Sequence, residues 1–281
     1  MGVLKRTNGR RRVLAGYDYC KQIKQKNMRL KNRVVIVTGA AESIGKAIAL
    51  RFAREGASVV VNYHTKADLA EQVVMQIIQE GGHAIALFAD VSNEVEVQEM
   101  IQATIAKFGR VDILVNNAGI DPRKTWNEIT VEDWDHVMAT NVRSQFICAK
   151  AVFPLMKQQD YGKIINVSSV VFLTGQKGYV HYVASKGAII GFTRALANEI
   201  GMHHINVNAI ILGAIHTENE LGKLGSLEAQ EKATNMLMDI QAIPQRIQTS
   251  DIEGTFLFLA SADSDLITGQ SMNIDGGWMM H

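Results

Sequence analysis

The sequence predicts an α/β fold, a single doubly wound parallel sheet flanked by helices on both faces. Three observations carry this reading. Short apolar runs alternate with amphipathic stretches long enough for helices along nearly all of the 281 residues. A glycine-bearing turn follows the first apolar run directly. No internal repeat, low-complexity tract or interdomain linker breaks the alternation. Alternation at this spacing means right-handed βαβ units and a sheet covered on both sides. The length suits one sizeable domain.

The elements follow in order. Val34-Val35-Ile36-Val37 is a β-branched strand at 34–38. The turn Thr38-Gly39-Ala40-Ala41-Glu42-Ser43-Ile44-Gly45 opens a helix at 44–55. Strands at 57–62 and 84–89 come next, with amphipathic helices at 67–80 and 94–108. A strand at 112–116 ends in Asn116-Asn117-Ala118-Gly119 and precedes a long helix at 131–158. The apolar run Lys163-Ile164-Ile165-Asn166-Val167 reads as a buried strand at 163–168, followed by a helix at 182–201. Strands at 205–210 and 271–274 close the sheet around a helix at 250–261. The three prolines, Pro122, Pro154 and Pro244, avoid every predicted central strand. An irregular insertion at about 214–247 carries Gly222, Gly225 and Met236-Leu237-Met238. It reads as a lid over the site or as a surface helical pair whose methionines pack onto the sheet.

Chemistry concentrates in Ser169, Tyr182 and Lys186. Tyr182 and Lys186 stand four apart in a predicted helix, which puts both on one face with Cβ atoms roughly 6 Å apart. A neighbouring ammonium favours the phenolate, so a lowered pKa is expected for Tyr182 and with it acid or base work near neutral pH. Ser169 follows a strand, at the carboxyl end where open α/β sheets bind ligands. The turn from Gly39 to Gly45 joins a strand to a helix start, and free amides there suit a pyrophosphate.

With these motifs, Asn141 in Thr140-Asn141-Val142, and Tyr182-Val183-Ala184-Ser185-Lys186, the chain resembles the short-chain dehydrogenases/reductases from about residue 28 to 281. The resemblance implies a Rossmann-type domain that transfers a hydride between NAD or NADP and an alcohol or carbonyl carbon. It implies that Ser169 holds the substrate oxygen, Tyr182 exchanges the proton, and Lys186 tunes Tyr182 and hydrogen-bonds the nicotinamide ribose. Asn141 then kinks the long helix and orders a proton-relay water; solvent exposure of a mid-helix asparagine is the bland alternative. Gly39, Ser43, Ile44 and Gly45 would hold the pyrophosphate, and Asn117, Ala118 and Gly119 the adenosine ribose, although that tetrapeptide also suits a plain turn. Asp90-Val91 resembles the pair that holds adenine, or a simple helix cap. Tyr63, at the end of the second strand, is a further cofactor-binding candidate, and Ile215 and Thr217 match positions for the carboxamide and phosphate. Thr268-Gly269-Gln270 and Asp275-Gly276-Gly277 read as structure and subunit interface.

Two residues depart from the family pattern. Ser43 replaces glycine or alanine in the turn, which would clash only if that position needs φ > 0. Leu212 replaces proline before Gly213. The cofactor choice leans to NAD. No acid or arginine follows Asn62-Tyr63-His64 to read the 2′ position, Glu42 should repel a phosphate, and His64 or Lys66 could attract one. Ile120, Asp121, Val171, Gln176, Tyr179 and the 214–247 segment are pocket candidates for a secondary alcohol or ketone.

Charge and cysteine usage bound the remainder. A net charge of +1 argues against a generally basic nucleic-acid binder. Residues 1–27 nevertheless hold eight Lys/Arg against Asp18, leaving −6 for the rest. That extension reads as a disordered tail or untranslated residues ahead of Met28, then as a transit peptide or a segment that touches anionic partners. Its longest apolar stretch, Val13-Leu14-Ala15, is too short to span a membrane. Cys20 and Cys148 form no disulfide or metal pattern, and the eight histidines show no ligand spacing. The expectation is a cytoplasmic oxidoreductase with no metal, no nucleic acid and no membrane, assembled as a family-type homotetramer through the helices at 131–158 and 182–201. A non-catalytic nucleotide-sensing or scaffold protein is the competing class.

Overall fold

In a computed structural model, which describes residues 28–218 and 225–280, the Val- and Ile-rich runs form seven strands in one sheet. They are β1 (Val34–Val37), β2 (Ser58–Tyr63), β3 (His83–Phe88), β4 (Ile113–Asn116), β5 (Gly162–Ser169), β6 (Ile205–Leu212) and β7 (Ser271–Ile274). All pair in parallel, in the order β3-β2-β1-β4-β5-β6-β7. The order reverses between β1 and β4, and the crevice at their carboxyl ends is where such sheets bind ligands. The basic stretch at 1–27 and part of the predicted insertion, 219–224, lie outside the described residues.

Alternation along the strands divides the core. Val35, Val37, Val59, Val61, Ile113, Val115, Ile165 and Val167 face one side. There they meet α1 (Ser43–Arg54), α2 (Ala67–Gln79) and a late helix, Thr249–Ala260. Ile36, Val60, Leu114 and Ile164 face the other side. Their partners are α3 (Glu94–Phe108), a helix at Ser144–Gln159 and one at Val180–Ile200. Both faces of these strands are therefore covered, which is why they read as continuous apolar runs. Phe52 and Phe256 are fully buried, and each such burial contributes about 1.5–3 kcal/mol.

The long helix predicted at 131–158 is not continuous. It divides into α4 (Val131–Met138), a π turn at Ala139–Arg143 and α5 (Ser144–Gln159). Asn141 lies in the π turn and is fully buried. Its side chain is occupied by groups outside its own helix, and π turns arise where such demands break the α ladder. The chain continues through a short α6 (Val171–Thr174), α7 (Val180–Ile200), α8 (Leu227–Ile240) and α9 (Thr249–Ala260). β5 runs one residue past its predicted end, so Ser169 is its last residue, paired with Leu212 of β6.

Ser43 begins α1 with φ at 51°, the left-handed region. The family-departing serine thus occupies a position that glycine would hold without strain, a cost of roughly 1–2 kcal/mol for an L side chain. Ser43→Gly is expected to raise unfolding stability by about 0.5–1 kcal/mol after the added entropy of glycine is subtracted. Urea denaturation of the two proteins would read the difference, and a destabilised variant would mean that the serine side chain makes a compensating contact.

Candidate active site

The glycine turn is held from beneath by side chains of three strand ends. Asn62 at the end of β2 accepts from Gly39 N at 3.2 Å and donates to Ala89 O at 3.2 Å. Thr38 Oγ1 accepts from the N–H groups of Asn117 and Ala118, both at 2.9 Å. Asn117 Nδ2 returns to Thr38 O at 2.9 Å and to Gly39 O at 3.2 Å. The turn and the β4 loop are thereby fastened to each other. A Cβ at Gly45 would lie 2.3 Å from Gly39 O and 2.8 Å from Asn117 Nδ2; one at Gly39 would lie 3.1 Å from Ala118 Cα. The backbone fits only because those positions have no side chain. A hollow of this shape, with the amides of α1 opening onto it, fits a dinucleotide pyrophosphate.

Sequence reasoning placed Asn117 at this site and missed Thr38 and Asn62. Asn62 carried a signal, since an amide directly follows the buried run Val59-Val60-Val61 and is itself buried. A second amide chain was also missed. Asn116 donates to Asn166 at 2.9 Å, and Asn166 to Thr193 Oγ1 at 3.0 Å, bolting β4, β5 and α7 together.

Farther along the crevice, Asp90 Oδ1 accepts from Ser92 N at 2.9 Å and from Ser92 Oγ at 2.8 Å. Burial works against the carboxylate, but these hydrogen bonds keep its pKa below the ordinary value. Asp90 is therefore fixed through Oδ1, and Val91 beside it is buried. Tyr63 ends β2 against Phe88, their ring centroids 6.0 Å apart. Glu42, expected to repel a phosphate, and Lys66, expected to attract one, instead pair with each other at 2.5 Å. Their charges offset at the mouth of the turn.

Ser169, Tyr182 and Lys186 converge from β5 and α7. Neighbouring Ser168 is turned away and donates to Lys186 O at 2.8 Å, a structural role. Lys186 Nζ donates to Val167 O at 3.0 Å and lies 5.4 Å from the Tyr182 ring centroid. Asn141 closes the group: its Oδ1 accepts from Ile120 N at 2.8 Å, and its Nδ2 donates to Ile120 O at 2.9 Å and Ser185 Oγ at 3.0 Å. Solvent exposure does not explain this asparagine; it ties the β4 loop to α7. A Cβ at Gly119 would press on Asn141 Oδ1 at 3.1 Å.

The expected direction for Tyr182 needs correction. Desolvation raises its pKa well above the ordinary 10.0, and the Asp121 carboxylate adds to the rise, while a hydrogen bond with Ser169 opposes it. Lys186, 5.4 Å from the ring centroid, does not offset this rise. Burial lowers the Lys186 pKa from 10.5 to about 8, against a pull upward from Asp121. The chain's own groups thus keep Tyr182 protonated at neutral pH, the form that donates a proton.

The Lys186 shift has a thermodynamic sign. Between about 8 and 10.5 the unfolded lysine holds a proton that the folded one has released, so folding strengthens as pH rises through that window. Relative to Lys186→Met, the wild type should gain on the order of 1–3 kcal/mol there, with no drift below about pH 8. Urea unfolding of both proteins across pH 6–10.5 reads this; a flat difference would mean that Lys186 titrates as it does in water.

Beyond β6, Ile215 packs against the sheet core, and His216 N donates to Ile247 O at 2.8 Å, just before Thr217. Lys46 of α1 reaches Glu218 at 3.6 Å. Within the predicted insertion, α8 has no buried residue and Met236 is 64% exposed. Met236 therefore does not pack onto the sheet. The base of the segment is anchored, since Gln241 Nε2 donates to Asp275 O at 2.9 Å and Ile243 N to Gly276 O at 2.8 Å. Leu212 is buried at the end of β6 and continues the pairing with β7. A cleft of about 430 Å³ opens beside Gly119, Ile120 and Asp121 along α4. Among the described residues no cluster of ligating side chains could hold a metal ion, and no helix is long and apolar enough to cross a membrane.

Residues 39–279 match the family described as Enoyl-(Acyl carrier protein) reductase. A 3-oxoacyl-[acyl-carrier-protein] reductase of Synechocystis is 40% identical over 252 residues, 89% of this chain and 98% of that protein. A (2S)-[(R)-hydroxy(phenyl)methyl]succinyl-CoA dehydrogenase subunit of Thauera aromatica is 37% identical over 89% of this chain and 98% of its own. Among solved structures, a 7α-hydroxysteroid dehydrogenase complexed with NADH and 7-oxo glycochenodeoxycholic acid superimposes with a TM-score of 0.83. It is 35% identical over 89% of this chain and 96% of that one.

Proposed function

The chain belongs to the short-chain dehydrogenase/reductase family and is an oxidoreductase of that type, and on this premise we propose that it moves a hydride between a nicotinamide cofactor and a secondary alcohol or ketone, with Tyr182 as acid and base. The observation that carries the proposal is the convergence of Ser169, Tyr182 and Lys186 beside Asn141 and next to the Gly39–Gly45 hollow. The bound cofactor supplies or accepts the hydride. Gly39, Ser43, Ile44 and Gly45 hold its pyrophosphate, Tyr63, Asp90 and Val91 border its adenosine, and Asn117, Ala118 and Gly119 flank the ribose. Ile215 and Thr217 would hold its carboxamide and phosphate, and Lys186 would hydrogen-bond the nicotinamide ribose.

In reduction, Ser169 donates a hydrogen bond to the substrate oxygen as negative charge grows there. Tyr182, kept protonated by its surroundings, delivers the proton to that oxygen. Lys186 and Asn141 would order the water through which the phenol regains a proton. In oxidation the direction reverses, and the raised phenol makes the base form scarce. The pairing of Glu42 with Lys66 offsets one cation that could hold a 2′-phosphate, which supports NAD over NADP. Residues 28–281 form the catalytic domain, 214–247 the lid and 1–27 an appendage. We place the enzyme in the cytoplasm as a homotetramer built on the outer faces of α4–α5 and α7, where Phe146 is 51% exposed and meets Phe192 edge-on at 6.5 Å.

The relatives set the substrate range to examine: 3-oxoacyl chains on an acyl carrier protein, a hydroxybenzyl-type succinyl-CoA, and a steroid. The test follows nicotinamide absorbance with NAD and NADP against acyl thioesters, steroid ketones and small ketones. Cofactor binding without turnover of any substrate would favour the nucleotide-sensing reading, for which the strained Ser43 is the supporting observation.

A further inference from the structure

Arg123 lies on the loop between β4 and α4, and this loop is held in place from two directions. Lys124 N donates to Gly178 O at 3.0 Å, joining the loop to the segment that leads into α7. Lys124 Nζ pairs with Asp133 at 2.5 Å, fastening the loop to α4. From this position the Arg123 guanidinium lies over the Tyr179 ring, 5.0 Å from its centroid, and Nε donates to Tyr179 OH. Tyr179 is buried, and its ring centroid is 5.6 Å from that of Tyr182. The cation is therefore carried by one aromatic ring to the flank of the next, and that next ring bears the reacting phenol.

Charge satisfaction around this arginine is uneven. Asp133 is answered by Lys124. Asp121 acts on Tyr182 and Lys186. Among the described residues Arg123 has no carboxylate within ion-pair distance, and its only hydrogen bond uses Nε and a neutral oxygen. That leaves the paired terminal nitrogens, the edge whose geometry matches a carboxylate in two parallel hydrogen bonds.

From this arrangement we infer that Arg123 binds a substrate carboxylate, so that the site takes an oxo acid or hydroxy acid whose anionic end lies on the Tyr179 side of Tyr182. The inference rests on the proposed oxidoreductase site and names its substrate class. The reacting carbon sits at Tyr182 and the carboxylate one ring away, which suits a short spacing between the two groups. Arg123 is a specificity residue in this arrangement, and it takes no part in proton or hydride movement.

The test uses the full chain with oxidised cofactor, NAD and NADP in turn, so that an added ketone forms a dead-end complex. Calorimetry compares 2-oxobutyrate, acetoacetate and levulinate, each with its methyl ester. At least one acid should bind about ten- to a hundredfold more tightly than its ester, the usual size for a charge-assisted pair. Arg123→Met should erase that preference while leaving ester binding unchanged, and Arg123→Lys should keep part of it. Tyr182→Phe should keep it whole. With the matching hydroxy acids, Arg123→Met should raise KM and leave kcat nearly untouched. Acids and esters binding alike, no acid binding at all, or equal losses for both in Arg123→Met would each overturn the inference. Full turnover by Tyr182→Phe would instead sink the acid/base role, and the binding preference would still stand or fall by itself.

Discussion

Tyr182→Phe is expected to lower kcat for ketone reduction by about a thousandfold or more, while cofactor binding and melting temperature stay close to wild type. General acid catalysis by a positioned side chain contributes roughly 10²–10⁴-fold, and here the same phenol also orients the carbonyl oxygen with Ser169. The variant keeps the ring and therefore its contact with Tyr179, centroid to centroid at 5.6 Å, so the fold has little reason to change. The pH behaviour makes the prediction sharper. Because desolvation raises the phenol above its ordinary value, wild-type kcat/KM for oxidation should continue rising beyond pH 9, and for reduction should stay level through neutrality. Stopped absorbance assays of both directions from pH 6 to 10 would check this. An oxidation plateau at neutral pH would show that groups beyond the chain's own side chains lower the phenol in the working complex.

The second large effect belongs to Gly45. Gly45→Ala places a methyl group 2.3 Å from Gly39 O and 2.8 Å from Ala40 Cα, contacts with backbone that no rotamer relieves. The turn must shift, and Asn117 Nδ2 at 2.8 Å must give way with it. Overpacking of this kind costs about 1–3 kcal/mol of stability, and displacement of a preformed binding turn costs more in affinity. Cofactor affinity should fall on the order of a hundredfold, with kcat/KM following, and melting should drop by several degrees. Calorimetric titration with cofactor reads the first and scanning calorimetry the second. Wild-type affinity in the variant would mean that the pyrophosphate does not use this turn.

The fold was legible because its strands are continuous Val/Ile runs, and a parallel sheet covered on both faces needs no polar alternation to reveal it. Strand and helix limits fall within one or two residues of those read from the chain, the long helix apart. The π turn at Ala139–Arg143 was not legible, since apolar periodicity runs through it; only the burial of Asn141 and its bonds to Ile120 and Ser185 require it. The trio could be named from spacing and resemblance, and the structure brings its members together. The Tyr182 pKa could not be read that way. Proximity of Lys186 argues for a fall, but the sign depends on how much water the two side chains lose, which is a property of packing by Tyr179 and β5. The strain at Ser43 was conditional on a dihedral angle that only the backbone reveals. Thr38 and Asn62 escaped notice because polar residues in strands are usually taken as punctuation, whereas here they fasten the turn.

That fastening has a kinetic consequence. Asn62, Thr38 and Asn117 hold the Gly39–Gly45 turn from below through bonds made entirely within the protein. A receptor surface already in its final shape loses little conformational freedom when a dinucleotide docks. Cofactor capture should then approach the rate of simple encounter, and the waiting time in each catalytic cycle should move to the one part of the crevice that is weakly secured. On the lid reading proposed above that part is α8, none of whose own residues is buried. Exchange of spent for fresh cofactor would then be timed by how often this stretch swings clear, and shortening it should speed release without altering the chemistry beneath.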